Sequence, residues 1–253
     1  MGILDIKNCT KRFGGLVAVR NLNMSLMPGS LYGLIGPNGA GKTTVFNLIT
    51  GVYAPDEGSI ELDGKAIQNK KPCSIASLGM SRTFQNIRLF KSMTVLQNVK
   101  LARHMRRKQS LFDAVARTRS LGEEEREIEQ DAMGLLKIFN LDGRANELAS
   151  SLPYGAQRRL EIVRALATHP KVLLLDEPAA GMNPQEALEL MHLIRSVRDR
   201  FQLTVLLVEH NMKVVMGICE NVQVIDYGET IALGTPREIQ DDPKVIEAYL
   251  GGA

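Results

Sequence analysis

The chain has 253 residues, 44% hydrophobic and 23% charged, which suits one large globular domain or two small ones. Its net charge of +3 is too mild to argue for nucleic acid as a partner. No apolar run approaches the ~20 residues needed to cross a bilayer.

The first residues, Met1-Gly2-Ile3-Leu4-Asp5-Ile6-Lys7, lack the basic-then-apolar pattern of a secretory signal. Gly2 raises N-myristoylation, but Ile6 stands where that motif wants Ser or Thr. Cys9, Cys73 and Cys219 are scattered and without metal spacing, as expected of small core or surface residues in a reducing cytosol. Up to about Ser30, short alternating segments (Leu4-Asp5-Ile6, then Leu22 to Met27) predict antiparallel strands.

Leu31 to Ile35 reads as a short buried strand, and Val45 to Ile49 as the apolar start of a helix. Between them lies Gly36-Pro37-Asn38-Gly39-Ala40-Gly41-Lys42-Thr43, which fits the phosphate-binding pattern G-x-x-x-x-G-K-[ST] in the strand–turn–helix context that the pattern requires. Gly36, Gly39 and Gly41 let the backbone turn tightly and aim its N–H groups inward. The helix that follows presents the positive end of its dipole to the same spot. Lys42 adds a charge for β- and γ-phosphates, and the Thr43 hydroxyl is a ligand for Mg²⁺.

Further along, Asp63-Gly64-Lys65 reads as a hairpin turn after Ser59 to Leu62. From about Thr94 to Leu148 strand patterns stop, and Ile128, Ala132, Leu135, Leu136 and Phe139 recur at helical spacing. The basic run Arg103 to Lys108 in this block reads either as a surface for anionic headgroups or a partner's loops, or as a solvated helix face. Leu152-Pro153-Tyr154-Gly155-Ala156-Gln157 then opens a helix through Ile162, Val163, Leu166 and Ala167, and its glycine turn is a second potential anion site.

Apolar strands return at Val172 to Leu175, Thr204 to Val208 and Val222 to Ile225. Between the first two, Asn183 caps a helix from Pro184 to Arg200. Strand, helix and strand in that order argue for a parallel sheet. Thr235 to Glu238 has the form of a capping box, and Asp242-Pro243 starts a last helix that stops at Gly251-Gly252.

The sheet pattern puts chemistry at strand ends. Val172 to Leu175 runs into Asp176 and Glu177, which places a carboxylate at the edge where ligands of α/β folds bind. Asp176 suits water-mediated Mg²⁺ binding, and Glu177 suits orienting or deprotonating an attacking water. His210 follows the next strand, either as a donor to a γ-phosphate or as a satisfied loop histidine. Gln85 is a neutral residue able to reach a metal or water. Phe13 reads equally as a purine-stacking ring and as a core aromatic.

Together these residues resemble the ATP-binding subunit of an ABC transporter over essentially the whole chain. Gly36 to Thr43 matches the Walker A loop, with Thr44 beside it. Leu173 to Glu177 matches the Walker B strand with its catalytic glutamate, and Gln85 the Q-loop. Leu152 to Ala156 stands at the signature Leu-Ser-Gly-Gly-Gln, Ala180 to Asn183 at the D-loop, and His210 at the switch histidine. Pro153 replaces the signature serine, and Asn183 replaces the D-loop aspartate. Three stretches are similar to the branched-chain amino acid importer branch: Leu152 to Ile162, Asp176 to Pro184, and Val208 to Met216. So are the ending, Gly234 to Leu250, and the helical stretch around Leu111 to Gln130.

The resemblance implies an α/β P-loop ATPase core with a mixed, mainly parallel sheet, an N-terminal antiparallel β-subdomain and an inserted helical subdomain. It implies one ATPase domain, with the core at approximately 1–93 and 156–253 and the helical part at 94–155. Expected ligands are ATP, held by Phe13, residues 36 to 44, Tyr154, Gly155 and Ala156, and Mg²⁺, held by Thr43, Gln85 and Asp176. Glu177, His210 and Gln85 are the expected catalytic residues. The implied partners are a second cassette, alike or different, integral-membrane permease subunits and, indirectly, an extracytoplasmic solute-binding protein. The implied place is the inner face of the cell membrane, with the chain peripheral on it. Two other classes are weighed: a non-transport ABC ATPase that assembles soluble partners, and a small-molecule P-loop kinase, against which the signature-like turn and His210 count.

Overall fold

The computed structural model describes residues 2–104, 119–209 and 212–250. These fall into two compact units. One comprises Met1–Arg82 with Lys171–Ala253, and the other is Thr83–Pro170.

The first unit contains two sheets among the described residues. The smaller has strand order β2-β1-β4-β5, built from β1 (Leu4–Phe13), β2 (Leu16–Leu26), β4 (Glu57–Leu62) and β5 (Lys65–Ala66). Its pairings are antiparallel, as the alternating N-terminal segments predict. The turn between β4 and β5 is the expected one: Asp63 and Gly64 take left-handed φ values of 51° and 70°, which suit a tight hairpin.

The larger sheet has order β10-β9-β3-β8-β7-β6. It contains β3 (Leu31–Ile35), β6 (Met80–Arg82), β7 (Val172–Asp176), β8 (Thr204–Val208), β9 (Asn221–Asp226) and β10 (Glu229–Gly234). β3, β7 and β8 are buried at every residue, which is why they read as unbroken apolar runs. Pairing is parallel from β9 to β6, and only the edge pair β9–β10 is antiparallel. Sequence patterning alone missed β6 and β10, which lie at the two edges of the sheet; an edge strand has one ladder partner and a weaker apolar signature.

Helix α1 (Lys42–Ile49) packs its apolar side into a core shared by both sheets. Phe46, Leu48 and Ile49 are at most 1% exposed there, with Leu34, Leu174 and Leu206 from the larger sheet and Leu26, Ile60 and Leu62 from the smaller. The remaining helices of this unit are α2 (Pro72–Ser77), α6 (Pro184–Phe201), α7 (Met212–Ile218), α8 (Pro236–Asp241) and α9 (Pro243–Leu250). Asn183 caps α6 in a full capping box with Glu186, and Thr235 does the same for α8 with Glu238. The predicted stop at Gly251-Gly252 lies outside the described residues.

The second unit is helical, with α3 (Val95–His104), α4 (Arg119–Ile138) and α5 (Tyr154–Leu166). Ile128, Ala132, Leu135 and Leu136 form the buried stripe of α4, and Phe139 beyond its end is also buried. Ion pairs join α3 to α4: Lys100 to Glu125 at 2.6 Å and Arg103 to Asp131 at 2.9 Å. Arg103 is thus turned toward the neighbouring helix and half-buried, while residues 105–108 of the basic run and residues 111–118 of the expected helical stretch lie outside the described residues. The unit is wider than the 94–155 expected from the sequence. It takes in residues 83–93 and the whole of α5, and hydrogen bonds described below tie the Gln85 loop to α5.

Candidate nucleotide site

In the first unit, β3, β8 and β7 are parallel neighbours, so their carboxyl ends share one edge of the sheet. The glycine loop leaves β3 at that edge. Gly36 cannot carry a side chain: a Cβ would stand 2.0 Å from the carbonyl oxygen of Ile225. At Gly41, with φ 105°, a Cβ would stand 2.6 Å from the carbonyl oxygen of Ala18. Gly39, with φ 82°, faces open space. The loop is anchored from behind, where Ala40 accepts a hydrogen bond from the Gly228 N–H at 2.9 Å.

The Lys42 ammonium lies inside this loop. It donates to the carbonyl oxygens of Gly36 at 2.7 Å and Pro37 at 2.8 Å, and the residue is 7% exposed. Burial holds its pKa below the ordinary lysine value, and the negative charges of Glu177 and Asp176 partly offset that. Among the described residues its hydrogen bonds go to neutral carbonyls, and anionic oxygens would be stronger acceptors. Thr43 and Thr44 occupy the first turn of α1, which carries no acidic residue and no side-chain cap. Its free N–H groups and positive dipole end therefore favour an anion. Asn38 and Gly39 are exposed on the open side of the loop, and Thr43 is exposed beside them.

Asp176 ends β7 and is 6% exposed. It is paired with Arg82 at the end of β6, Nη2 to Oδ2 at 2.7 Å. The same guanidinium donates to the Asn47 Oδ1 at 2.7 Å and lies 5.2 Å from the centroid of the Phe46 ring. Sequence reasoning gave Arg82 no role; the available signal was a cation three residues before Gln85, and only the β6–β7 pairing shows what it meets. Glu177 follows with a left-handed φ of 48°, and its N–H donates to the Val208 carbonyl at 2.9 Å. A non-glycine residue held there stores backbone strain of order 1–3 kcal/mol, a pattern found at functional sites. His210 lies outside the described residues.

Phe13 ends β1, 41% exposed, in edge-to-face contact with Tyr53 at 5.1 Å between centroids. It is therefore an exposed ring rather than a core aromatic.

The remaining sequence-predicted residues belong to the helical unit. Pro153 is the N-cap of α5, so Tyr154, Gly155 and Ala156 form its first turn, with Tyr154 45% exposed. The N–H groups of that turn have no partner within the helix. The Gln157 side chain donates back to the Leu152 carbonyl at 2.8 Å and shapes the entry. Gln85 lies in a loop whose Phe84 and Gln85 carbonyls both accept from Arg158, at 2.6 Å and 2.7 Å. Arg158 is in turn paired with Glu161 at 2.9 Å. Neither Arg158 nor Glu161 carries a role in the sequence reading, although a buried charge pair inside a helix that reads as amphipathic was visible as an i, i+3 spacing.

Comparison with known proteins identifies the family. The family described as ABC transporter matches residues 19–180, and the family described as branched-chain amino acid ATP-binding cassette transporter matches residues 229–253. The chain is 46% identical, over 99% of its length and 98% of the relative's, to the high-affinity branched-chain amino acid transport ATP-binding protein LivG of Escherichia coli (strain K12). It is 47% identical, over the same shares, to the corresponding protein BraF of Pseudomonas aeruginosa. Among solved structures, a nucleotide-free ATP-binding cassette from an ABC transporter superimposes with a TM-score of 0.85 at 32% identity, covering 99% of this chain and 100% of that one. The chain belongs to the ABC transporter family, as one of its ATP-hydrolysing cassettes.

Proposed function

We propose that this chain powers the import of branched-chain or related amino acids across the cytoplasmic membrane through partner permease subunits. The observation that carries the chemistry is the Lys42 ammonium, buried within the glycine loop and flanked by the charges of Asp176 and Glu177. The full-length likeness to LivG and BraF, together with the match at residues 229–253, supports the transport assignment and favours it over an assembly role.

ATP would lie with its phosphates on the N–H groups of residues 36 to 44 and its β- and γ-oxygens on Lys42, with the purine against the exposed Phe13 ring. Oxygen donors suit magnesium, which is commonly held by one or two carboxylates together with substrate phosphates. The Thr43 hydroxyl, Gln85 and, through water, Asp176 would hold it, and the ion would neutralise charge on the phosphates. Glu177 would orient the attacking water and accept its proton, and His210 would donate to the γ-phosphate. Such a reaction needs positioning and charge stabilisation more than covalent help.

Two cassettes would pair head to tail. The Tyr154–Ala156 turn of each would close on the ATP of the other, with the amides of Gly155 and Ala156 replacing what Pro153 does not supply. Loss of the γ-phosphate would then release the pair and move the attached permease.

The test is co-purification with membrane partners and reconstitution in vesicles with the cognate binding protein. Leucine, isoleucine or valine should raise ATP turnover and drive solute uptake. Turnover indifferent to every amino acid in a panel would overturn the transport assignment.

A further inference from the structure

Among its described residues, the helical unit contains a buried charge pair that the ATPase chemistry does not use. Arg158 is 0% exposed and Glu161 2%. Besides pairing with each other, both hydrogen-bond the same short loop. Arg158 donates to the carbonyls of Phe84 and Gln85. Glu161 Oε1 accepts from the N–H groups of Phe84 at 3.4 Å and Arg88 at 3.2 Å. Loop residues 84 to 88 are thus held by a cation on one set of carbonyls and an anion on the flanking amides. Arg158 Nη2 also donates to the Tyr154 hydroxyl at 3.3 Å, and its guanidinium lies 5.9 Å from the Tyr154 ring centroid.

Simple packing does not require this arrangement. An apolar pair of the same volume commonly matches or exceeds a buried ion pair in stability. What the pair supplies is a fixed geometry: a planar fork with hydrogen bonds in two directions and a carboxylate that fixes the fork. The joined segments are the Gln85 loop and the first turn of α5.

We infer that the Arg158–Glu161 pair is a positioning device that makes the Gln85 loop and the Tyr154–Ala156 turn move as one piece. The inference rests on the proposed paired-cassette reading. There, Gln85 serves the ATP of its own subunit and the turn serves the ATP of the other. A rigid link between them makes occupancy of one ATP site felt at the second, so Arg158 and Glu161 couple the two sites without touching either nucleotide. Coupling of this kind needs an element that both sites bias, and the clamped loop and helix start are that element.

Hydrogen exchange tests it in the full chain, in a Glu177→Gln background that retains ATP. With Mg²⁺ and ATP, peptides covering 83–88 and 152–160 should gain protection together. Arg158→Lys keeps the charge and loses the fork; in it, 152–160 should still gain protection while 83–88 should not. In chains with Glu177 intact, Arg158→Lys should lower kcat about tenfold and bring the Hill coefficient for ATP close to one. A role confined to folding would lower Tm and leave the two peptides responding together, which overturns the proposal. Should Arg158→Lys fail to fold, the pair Arg158→Met with Glu161→Leu fills the same space without hydrogen bonds. A folded double variant with unchanged cooperativity overturns the proposal equally. If ATP brings neither protection nor a dimer in the Glu177→Gln background, the paired-cassette reading itself falls, and the coupling with it.

Discussion

Arg82 and Asp176 form a nearly buried ion pair, Nη2 to Oδ2 at 2.7 Å, with both side chains 8% exposed. The pair joins the ends of two adjacent parallel strands. It also sets the state in which the proposed metal-binding carboxylate waits: oriented and already partnered by a cation. Removing the cation leaves a buried charge, which commonly costs about 3 kcal/mol or more. Arg82→Ala should therefore lower the urea midpoint markedly. Added MgATP should restore more stability to this variant than it adds to the parent, because the bound magnesium supplies the missing positive charge. Equal gains in the two proteins would show that Asp176 does not face the metal.

Glu177 combines a left-handed backbone with a place directly after Asp176. Glu177→Gln keeps the shape and removes the base. ATP affinity should stay within a few-fold, while turnover should fall by a factor on the order of 100 or more. The ATP-bound form should accumulate as a dimer in sizing chromatography. Full turnover in this variant would remove Glu177 from the mechanism.

The glycines of the loop make a graded prediction. Gly36→Ala must displace the Ile225 carbonyl, since the new Cβ would stand 2.0 Å from it. That variant should lose nucleotide binding and unfold at lower denaturant. Gly39→Ala meets nothing within 4 Å and pays only for its φ of 82°, roughly 1–2 kcal/mol. It should fold and bind ATP more weakly. Thermal melts with and without nucleotide would separate the two.

Lys42 predicts a proton effect. Burial lowers its pKa, and phosphates arriving beside it must raise it. Between the two values, binding takes up a proton, so ATP affinity should fall as pH rises through the alkaline range. Calorimetry at alkaline pH in buffers of different ionisation enthalpy would reveal the uptake. An affinity independent of alkaline pH, with no proton taken up, would contradict the buried-ammonium account.

Much of this site was legible because its physics is local. A glycine loop between a buried strand and a helix, and acids at the end of an apolar run, depend on residues close in sequence. The caps at Asn183 and Thr235 were legible for the same reason. Arg82 and Arg158 were not: their partners Asp176 and Phe84 lie 94 and 74 residues away, and only strand pairing and helix packing bring them together. The compact helical unit, Thr83–Pro170, and the 94–155 helical part expected from the sequence have different limits because they reflect different things. A break in strand pattern marks where composition changes, whereas packing joins segments that pattern separates, as the hydrogen bonds of Arg158 and Glu161 join the Gln85 loop to α5. Phe13 was ambiguous by sequence because spacing does not tell an exposed ring from a buried one, and the ring is 41% exposed.

The most direct test of the central claim is a calorimetric titration of the folded chain with ATP in the presence of magnesium, beside the Lys42→Ala variant. The account predicts saturable heat with one nucleotide per chain, and its loss in Lys42→Ala. Absence of heat from well-folded protein, or undiminished heat without Lys42, would contradict it.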